Sequence, residues 1–304
     1  MADMTPPEGP LPDPHPPDPR INAYRADIAD ERLRGRVTTQ KFVAPQRGQI
    51  RTPFVPVFAK PQLDAERVTE ALSGEIVLVF ERSRGWVWGQ LESDGYAGYM
   101  PESAVMAGVR DMTHVVTAFA TFMYAAPDIK SEAISTLSLN AQVAAADTRD
   151  RFLRLQTGAY VIESHTVPLG TFAPDFVAVC ERFVGVPYLW GGRTSAGVDC
   201  SGLVQMGMIA AGLACPRDTD LQRAALGRDI GITPALTGLK RGDLLFWQGH
   251  VGIVTDGLHL LHANAHHMTV AREPVMTAVA RIAASGSPLL AIKRPAGLGR
   301  AVAV

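Results

Sequence analysis

A cysteine at the start of a helix is the residue in this sequence best suited to nucleophilic chemistry. Residues 195–197 are typical of a turn, and apolar residues then recur at helical spacing from Leu203 to Ala211. Asp199 therefore occupies an N-cap position, and Cys200 falls in the first helical turn. Because the free amides and the positive dipole end of a helix favour a thiolate, this position predicts a lowered pKa for Cys200.

Two histidines on neighbouring strands could supply the base that such a thiol needs. His250 begins one apolar run, His262 lies in the next, and Asp256-Gly257 between them favours a hairpin. A two-residue loop would place the two histidines on opposite faces of the sheet. A three-residue loop, residues 255–257, would set His250 directly opposite His262. We favour the second arrangement because one imidazole can then orient the other.

The remaining cysteines and histidines are assigned no chemistry. Cys180 has apolar neighbours at helical spacing and is interpreted as a core residue, and Cys215 precedes a proline in a loop. An odd total of three cysteines argues against a disulfide framework. The His266-His267 pair has no cysteine or carboxylate at structural-zinc spacing, so we expect no metal and no other cofactor.

Composition and charge indicate a globular protein. The 304 residues are 47% hydrophobic and carry 29 basic and 30 acidic side chains. A balanced charge without basic clusters predicts no binding to nucleic acid or to a membrane surface. The first 20 residues lack the basic start and apolar run of a secretory signal, so a cytoplasmic location is expected. The oligomeric state is left open.

Four regions follow one another along the chain. Residues 1–46 are predicted to form an N-terminal arm, disordered over its proline-rich part, with a short helix at 27–34. Residues 47–108 and 109–168 show short apolar alternations separated by turns, which favours two small β-barrels. Residues 169–304 place helices before strands, which predicts an α+β domain.

The first barrel region resembles bacterial SH3-like domains. A glycine begins one strand in Ser73-Gly-Glu-Ile-Val-Leu-Val79, Gly85-Trp86 begins the next, and Gly95-Tyr-Ala-Gly-Tyr-Met100 closes the barrel. Region 109–168 resembles a second, more diverged copy.

The C-terminal region resembles the NlpC-type family of cell-wall cysteine peptidases, which has a papain-like fold. Its motifs occur in the family's order: Pro187-Tyr-Leu-Trp-Gly-Gly192, Asp199-Cys-Ser-Gly-Leu-Val-Gln205, Arg241-Gly-Asp-Leu-Leu-Phe246, His250-Val-Gly-Ile-Val254 and His262-Ala263. Two SH3-like domains before such a domain resemble the branch that recycles murein peptides.

The resemblance implies cleavage of the γ-D-glutamyl–diamino-acid bond in murein peptides that have a free N-terminal L-Ala. It makes Cys200 the nucleophile, His250 the general base and acid, and His262 the residue that orients His250. It assigns oxyanion stabilisation to Tyr188 and the Cys200 amide. It also implies a set of substrate contacts, with Asp199 and Ser201 at the ammonium and Trp190 and Thr219 along the cleft.

In this branch the first SH3-like domain adds an acidic and an aromatic residue to the amine pocket. Glu75 and Tyr96 match those positions best, and Glu81 and Tyr99 are the rivals. Three other functions are weighed: an exported endopeptidase acting on intact cell wall, a thiol amidase or acyltransferase, and a binding module. The intact cysteine and histidines argue against the last.

Overall fold

The computed structural model describes residues 16–296. Most of the proline-rich arm, residues 1–15, lies outside the described residues. The predicted helix at 27–34 is wrong: strand β1 (Ile28–Asp30) leads into a single 3-10 turn at Glu31–Leu33 and pairs in parallel with β2 (Lys41–Val43). The Asp30 carboxylate accepts the Arg32 N–H and so favours a tight turn over a longer helix.

The first β region, residues 46–107, is one seven-stranded antiparallel sheet. Alternate apolar side chains of its strands form a buried core that includes Val57, Val77 and Val87. The spatial order is β5-β4-β8-β7-β6-β3-β9. Its strands are β3 (Gln46–Ile50), β4 (Phe54–Phe58), β5 (Arg67–Leu72), β6 (Ile76–Ser83), β7 (Trp86–Leu91), β8 (Ala97–Pro101) and β9 (Val105–Ala107).

The second β region, residues 114–168, consists of a five-stranded and a three-stranded antiparallel sheet. The sequence predicts one strand over 115–124, but Thr117 N–H donates to the His165 carbonyl oxygen, and the chain changes sheet at this point. The strands are β10 (His114–Val116), β11 (Ala120–Tyr124), β12 (Ala133–Ser138), β13 (Gln142–Val143), β14 (Ala145–Arg149), β15 (Phe152–Leu155), β16 (Tyr160–Ile162) and β17 (Thr166–Pro168).

The C-terminal region, residues 175–294, is an α+β unit in which helices precede most of an antiparallel sheet, as the sequence predicts. The small hairpin β18 (Arg193–Thr194) and β19 (Gly197–Val198) leads into the cysteine helix. The six-stranded sheet has the order β20-β25-β21-β22-β23-β24. Its elements are α1 (Phe176–Glu181), α2 (Cys200–Ala210), α3 (Thr219–Ala225), β20 (Arg228–Asp229), β21 (Leu244–Trp247), β22 (His250–Val254), β23 (His259–Asn264), β24 (Thr269–Pro274), α4 (Val275–Ala284) and β25 (Ala291–Arg294).

Helices pack on both faces of this sheet. On β21, Leu244 and Phe246 belong to the core formed with α1 and α2, whereas Leu245 and Trp247 belong to the core formed with α4. This period-two alternation follows from the pleat of a strand that is buried on both sides. Within residues 16–296, none of the helices has the length and apolar character that crossing a bilayer requires.

Candidate active site

The helix that carries the cysteine begins where the sequence predicts. Asp199 has an extended backbone, and its Oδ1 accepts the Gly202 N–H at 2.7 Å, so it is the N-cap of α2. Cys200 is the first helical residue and is only 5% exposed. A Cβ at position 202 would lie 2.3 Å from the Gly192 carbonyl oxygen. Glycine at 202 therefore lets the start of the helix pack directly on the preceding chain.

The thiol of Cys200 lies in a buried environment beside the strand that carries His250. Its Sγ is 3.9 Å from Thr219 Oγ1 and 3.9 Å from the carbonyl oxygen of Gly249. Burial raises the pKa of the thiol to about 11, and the neighbouring Asp199 charge adds to the increase. The predicted lowering of this pKa is wrong, because the loss of solvation outweighs the helix dipole.

The two histidines meet, although not in the predicted register. The hairpin loop is residues 256–258, one residue later than predicted, with its glycine in the left-handed region. Val254 pairs with Leu260, which is two residues away from the register that sets His250 opposite His262. A two-residue shift leaves every side chain on its original face. His250 Nε2 and His262 Nδ1 consequently lie 2.9 Å apart.

Both imidazoles are neutral near pH 7. His250 packs on the ring of its cross-strand partner Trp247, with ring centroids 5.5 Å apart. Burial lowers the pKa of His250 to about 3, with smaller contributions from His262 and Arg281. Burial also lowers the pKa of His262 to about 4, although Glu273 opposes this change. The free site therefore contains a neutral thiol and two neutral imidazoles.

A cleft of about 500 Å³ opens over the thiol and brings together most of the residues chosen from the sequence. Trp190 is 58% exposed at its rim rather than buried in a core. Burial raises the pKa of Tyr188 above its usual range, so its hydroxyl keeps its proton near neutral pH. The chosen residues that line the cleft are Tyr96, Tyr188, Trp190, Asp199, Cys200, Ser201 and Thr219.

Asp199 borders the cleft, but its charge is already balanced within the protein. Arg217, which is 1% exposed, donates to both carboxylate oxygens, at 3.0 and 2.5 Å. The same guanidinium donates to Ser201 Oγ at 2.8 Å. The Asp199 carboxylate also accepts the Gly191 N–H at 2.8 Å. The residues predicted to hold an ammonium are therefore already hydrogen-bonded to a buried arginine.

The predicted role of Glu75 in the amine pocket is wrong. Glu75 is not among the residues that line the cleft, and its carboxylate accepts from Leu72 N–H, Ser93 Oγ and the guanidinium of Arg193. Arg193 is fully buried, so Glu75 serves to balance its charge.

The rival pair Glu81 and Tyr99 does not reach the cleft either. Both side chains hydrogen-bond to Arg25, at 2.8 Å each. The guanidinium of Arg25 also stacks over Trp88, with its central carbon 4.4 Å from the ring centroid. These residues thus bind a cation of the protein's own N-terminal segment.

Glu66 is the acidic residue of the first β region that borders the cleft. It lies at the edge of β5, a strand the sequence analysis did not predict, and it accepts from Trp190 Nε1 at 3.1 Å. Tyr96 lies beside it in the cleft wall, and its hydroxyl donates to Asp218 Oδ2 at 2.9 Å.

The N-terminal segment completes this end of the cleft. Arg20 donates to Asp218 at 2.8 Å and to Asp220 at 2.7 and 2.9 Å, both at the start of α3. It also pairs with Asp18 in its own turn. The sequence Thr219-x-x-Gln222 has the pattern of a capping box, but α3 does not form one: Asp218 is the N-cap residue, without a side-chain cap, and Gln222 donates to backbone carbonyl oxygens instead.

Comparisons with known proteins agree with this arrangement. Residues 57–105 match the family model described as the bacterial dipeptidyl-peptidase SH3 domain, and residues 185–281 match that of the NlpC/P60 family. A γ-D-glutamyl-L-lysine dipeptidyl-peptidase of Bacillus subtilis (strain 168) is 30% identical over 217 residues, which are 64% of this chain and 71% of that protein. The chain belongs to the NlpC/P60 family.

A second curated relative of this NlpC/P60 protein supports the same conclusion, and a solved structure shows the same fold. Dipeptidyl-peptidase 6 of Lysinibacillus sphaericus is 27% identical over 68% of this chain and 84% of its own length. The crystal structure of an NlpC/P60 family protein from Bacillus cereus superposes with a TM-score of 0.68 at 19% identity, covering 83% of this chain and all of that one. The protein is thus a cysteine peptidase with an SH3-like domain before an NlpC/P60 domain.

Two residues of this NlpC/P60 site escaped the sequence analysis. Glu273 accepts a hydrogen bond from His262 Nε2 at 2.8 Å, and Arg281 pairs with the same carboxylate. Arg281 lies on α4, which was not predicted either. The spacing of Val275, Ala278 and Val279 could have indicated that helix, since these residues form its buried face.

Proposed function

We propose that this protein is a dipeptidyl-peptidase that cleaves the γ-D-glutamyl–diamino-acid bond of murein peptides and releases L-Ala-D-Glu. The observation that carries the proposal is the acidic end of the cleft. Glu66, Asp218 and Asp220 border it, and Asp18 lies behind them, with Arg20 as the balancing cation. Four carboxylates against one guanidinium favour a substrate that ends in a free ammonium. The names of two relatives, both γ-D-glutamyl-L-lysine dipeptidyl-peptidases, point the same way.

In the proposed reaction Cys200 attacks the γ-carbonyl carbon of the D-Glu residue. Because Nε2 of His250 is bonded to His262, Nδ1 is the ring nitrogen left to take the thiol proton. The Cys200 amide and the Tyr188 hydroxyl stabilise the oxyanion. His250 then returns the proton to the leaving amine of the diamino acid. A water molecule, deprotonated by His250, hydrolyses the thioester and releases the dipeptide.

Because the thiol and the imidazole are both neutral in the free site, the step at which the proton moves from Cys200 to His250 has to be identified. A thiol with a pKa of about 11 and an imidazole with a pKa of about 3 do not exchange a proton in the free cleft. Proton transfer therefore accompanies attack on the bound carbonyl, where the developing charge moves from sulfur to the oxyanion donors. Trp190 at the rim, and Thr219 beside the thiol, are proposed to position the peptide over the sulfur.

The amine pocket is proposed to consist of Glu66, Asp218 and Tyr96. Burial raises the pKa of Asp218, while the Tyr96 hydroxyl, Arg217 and Arg20 counteract this rise. We propose that Asp199 and Ser201 complete the pocket by fixing its floor, since Arg217 already balances Asp199. Because Arg20 pairs with Asp218 and Arg217 with Asp199, an N-acylated peptide would leave chiefly the Glu66 carboxylate without the ammonium, and such a site disfavours that peptide.

The test is hydrolysis of matched peptides by the full chain. L-Ala-γ-D-Glu-diaminopimelate, its lysine counterpart and their N-acetyl forms are incubated with the protein and with Cys200→Ala, and L-Ala-D-Glu is quantified by mass spectrometry. We expect cleavage of a free peptide at least about 100-fold faster than that of its acetylated form, and none by the variant. Equal rates on both forms would contradict the proposal and favour an endopeptidase acting on intact wall.

A need for a free amine also suggests where the enzyme works. Murein peptides gain a free L-Ala amine only when they are released from the sugar chain. We infer that the protein acts on such released fragments in the cytoplasm, as in recycling of wall peptides. Fractionation of the producing cells tests this inference, and recovery of the activity outside the cytoplasmic fraction would contradict it.

A further inference from the structure

The hydrogen-bond chain of the active site continues beyond His262. His262 is fully buried, and both of its ring nitrogens are engaged: Nδ1 with His250 Nε2 at 2.9 Å and Nε2 with Glu273 Oε1 at 2.8 Å. Arg281 pairs with the same Glu273 oxygen. Four side chains from four consecutive elements, β22, β23, β24 and α4, thus form one continuous chain that ends in an ion pair.

The hydrogen bond between the two neutral imidazoles can run in either direction. His250 can donate its Nε2–H to His262, which leaves Nδ1 of His250 free to accept the thiol proton. In the reverse arrangement His262 donates from Nδ1, and His250 then carries its proton on Nδ1 and cannot act as a base. The geometry of the histidine pair alone does not distinguish the two arrangements, because the 2.9 Å separation suits both.

Glu273 removes this ambiguity. Burial by itself would raise its pKa, but the hydrogen bond from His262 and the charge of Arg281 hold the pKa below the usual range, so the side chain is a carboxylate at neutral pH. A carboxylate only accepts hydrogen bonds, and His262 must therefore carry its proton on Nε2. We propose that Glu273, held by Arg281, is a positioning residue that selects the His262 tautomer on which the basicity of His250 depends.

The sheet register places Glu273 for this role. His262 pairs with Ala271 across β23 and β24, and Glu273 is two residues further along the same strand, on the same face. The chain then turns into α4 directly after Pro274, which brings Arg281 over the carboxylate. The strand and the helix that supply this pair are consecutive in sequence.

The other charged groups near His262 and Glu273 do not select the His262 tautomer in place of Glu273. Glu273 and Arg281 balance each other, so the effect on His262 is one of hydrogen-bond direction rather than of net charge. His267 is the remaining titratable neighbour, and its Nδ1 lies 3.0 Å from Asn264 Oδ1. His262, His267 and Glu273 could in principle bind a metal ion, but the guanidinium of Arg281 at the same carboxylate opposes a cation there.

The decisive measurement is the tautomer of each histidine, read by ¹⁵N NMR of the full chain in a Cys200→Ala background. We expect His262 and His250 both to carry their protons on Nε2. In Glu273→Gln the amide can rotate and donate to His262, so we expect signals of the opposite tautomer to appear. A His262 protonated on Nδ1 without the substitution, or tautomers unchanged by it, would overturn the proposal.

Kinetics supply the second measurement. Glu273→Gln should lower kcat by about 100-fold with KM nearly unchanged, as expected for loss of a tautomer-holding carboxylate. Glu273→Asp should recover part of that loss, and Arg281→Gln should lower kcat less because the carboxylate remains. Asp256→Asn, an exposed carboxylate at the tip of the same hairpin, is the matched control and should have no effect. Wild-type kcat in Glu273→Gln, or loss of activity with EDTA, would overturn the assignment.

This inference rests on the thiol chemistry of the proposed function but not on its substrate. The NMR measurement requires no turnover, so it stands even if murein peptides are not cleaved. Thermal unfolding of each variant shows whether the variant is folded. A folded Glu273→Gln protein in which the histidine tautomers have changed supports the proposal. A folded variant with the original tautomer and low kcat would contradict it.

Discussion

The two β regions ahead of the peptidase sheet contact it in different ways. The first β region supplies Glu66 and Tyr96 to the cleft wall, and its Glu75 pairs with the buried Arg193. The second β region contacts the back of the cysteine helix, where Asn140 Nδ2 donates to the Met206 carbonyl oxygen at 2.9 Å. None of residues 114–168 borders the cleft.

The difference shows that two neighbouring β units can serve one enzyme differently. Under the proposed function, the first β region contributes to substrate recognition and to stability, whereas the second contributes to stability alone. Substitutions in the first region should therefore change both stability and kinetics, and those in the second only stability. The predictions below test this division, starting with the largest expected effect.

Breaking the ion pair between the first β region and the peptidase domain should have the largest effect on folding. Arg193→Met leaves the buried Glu75 carboxylate and the Glu70 carbonyl oxygen without this guanidinium, and we expect the free energy of unfolding to fall by about 3–5 kcal/mol. Urea denaturation measures the change. Arg182→Met is the control, since among residues 16–296 the Arg182 guanidinium donates to a single acceptor, the Thr117 carbonyl oxygen of the second β region. A decrease of less than about 1 kcal/mol in the free energy of unfolding of Arg193→Met would contradict the stabilising role assigned to this ion pair.

Removing the charge of Glu66 should change recognition with little effect on stability. Glu66→Gln should lower kcat/KM for a free-amine peptide by about 10- to 100-fold, the equivalent of one hydrogen bond to a charged group. The N-acetylated peptide should be cleaved no more slowly than by the unmodified protein. Glu92→Gln, at an exposed carboxylate of the same β region that pairs with Arg47, is the control. Equal losses on both peptides would remove Glu66 from the amine pocket.

A matched change in the second β region should affect stability only. Asn140 has a positive φ of 68°, so Asn140→Gly keeps the backbone relaxed while it deletes the hydrogen bond to Met206. We expect a loss of about 1 kcal/mol in the free energy of unfolding and no change in kcat/KM. A kinetic defect in this variant would show that the second β region also influences the cleft.

The thiol should be unaffected by either β region. Because burial raises the pKa of Cys200 to about 11, its alkylation by iodoacetamide should accelerate as pH rises from 7 towards 11. The same profile is expected for Glu66→Gln and Asn140→Gly. Cys200 should still be labelled before Cys180 and Cys215, because burial raises the pKa of those two thiols further. An alkylation rate that is already constant near neutral pH would instead support the lowered pKa that the helix position predicts for Cys200.

Local patterns predicted where the candidate cysteine and histidines lie, because their placement depends on short-range geometry. Asp199 and Cys200 follow from the rules of helix capping, and the pairing of His250 with His262 survives a register shift of two because strand alternation has a period of two. The α+β class and the SH3-like and NlpC-type units likewise follow from motifs that are contiguous in sequence.

The misassigned residues depend on partners that are distant in sequence. Glu75 was misassigned because its partner Arg193 lies 118 residues away, and Glu66 was missed along with the strand that follows it. The pKa of Cys200 depends on burial by the whole fold, which no local pattern reports. Arg20 was assigned to a proline-rich arm because its aspartate partners come 198 and 200 residues later.

The pairing of Arg20 with Asp220 also determines when the enzyme can become active during synthesis. The groups of the cleft and of the histidine chain are spread from Arg20 to Arg281, so translation must pass residue 281 before all of them are present. A nascent chain that ends between Cys200 and His250 lacks both histidines and their carboxylate. A chain interrupted in this interval has the thiol without the base that is proposed to activate it.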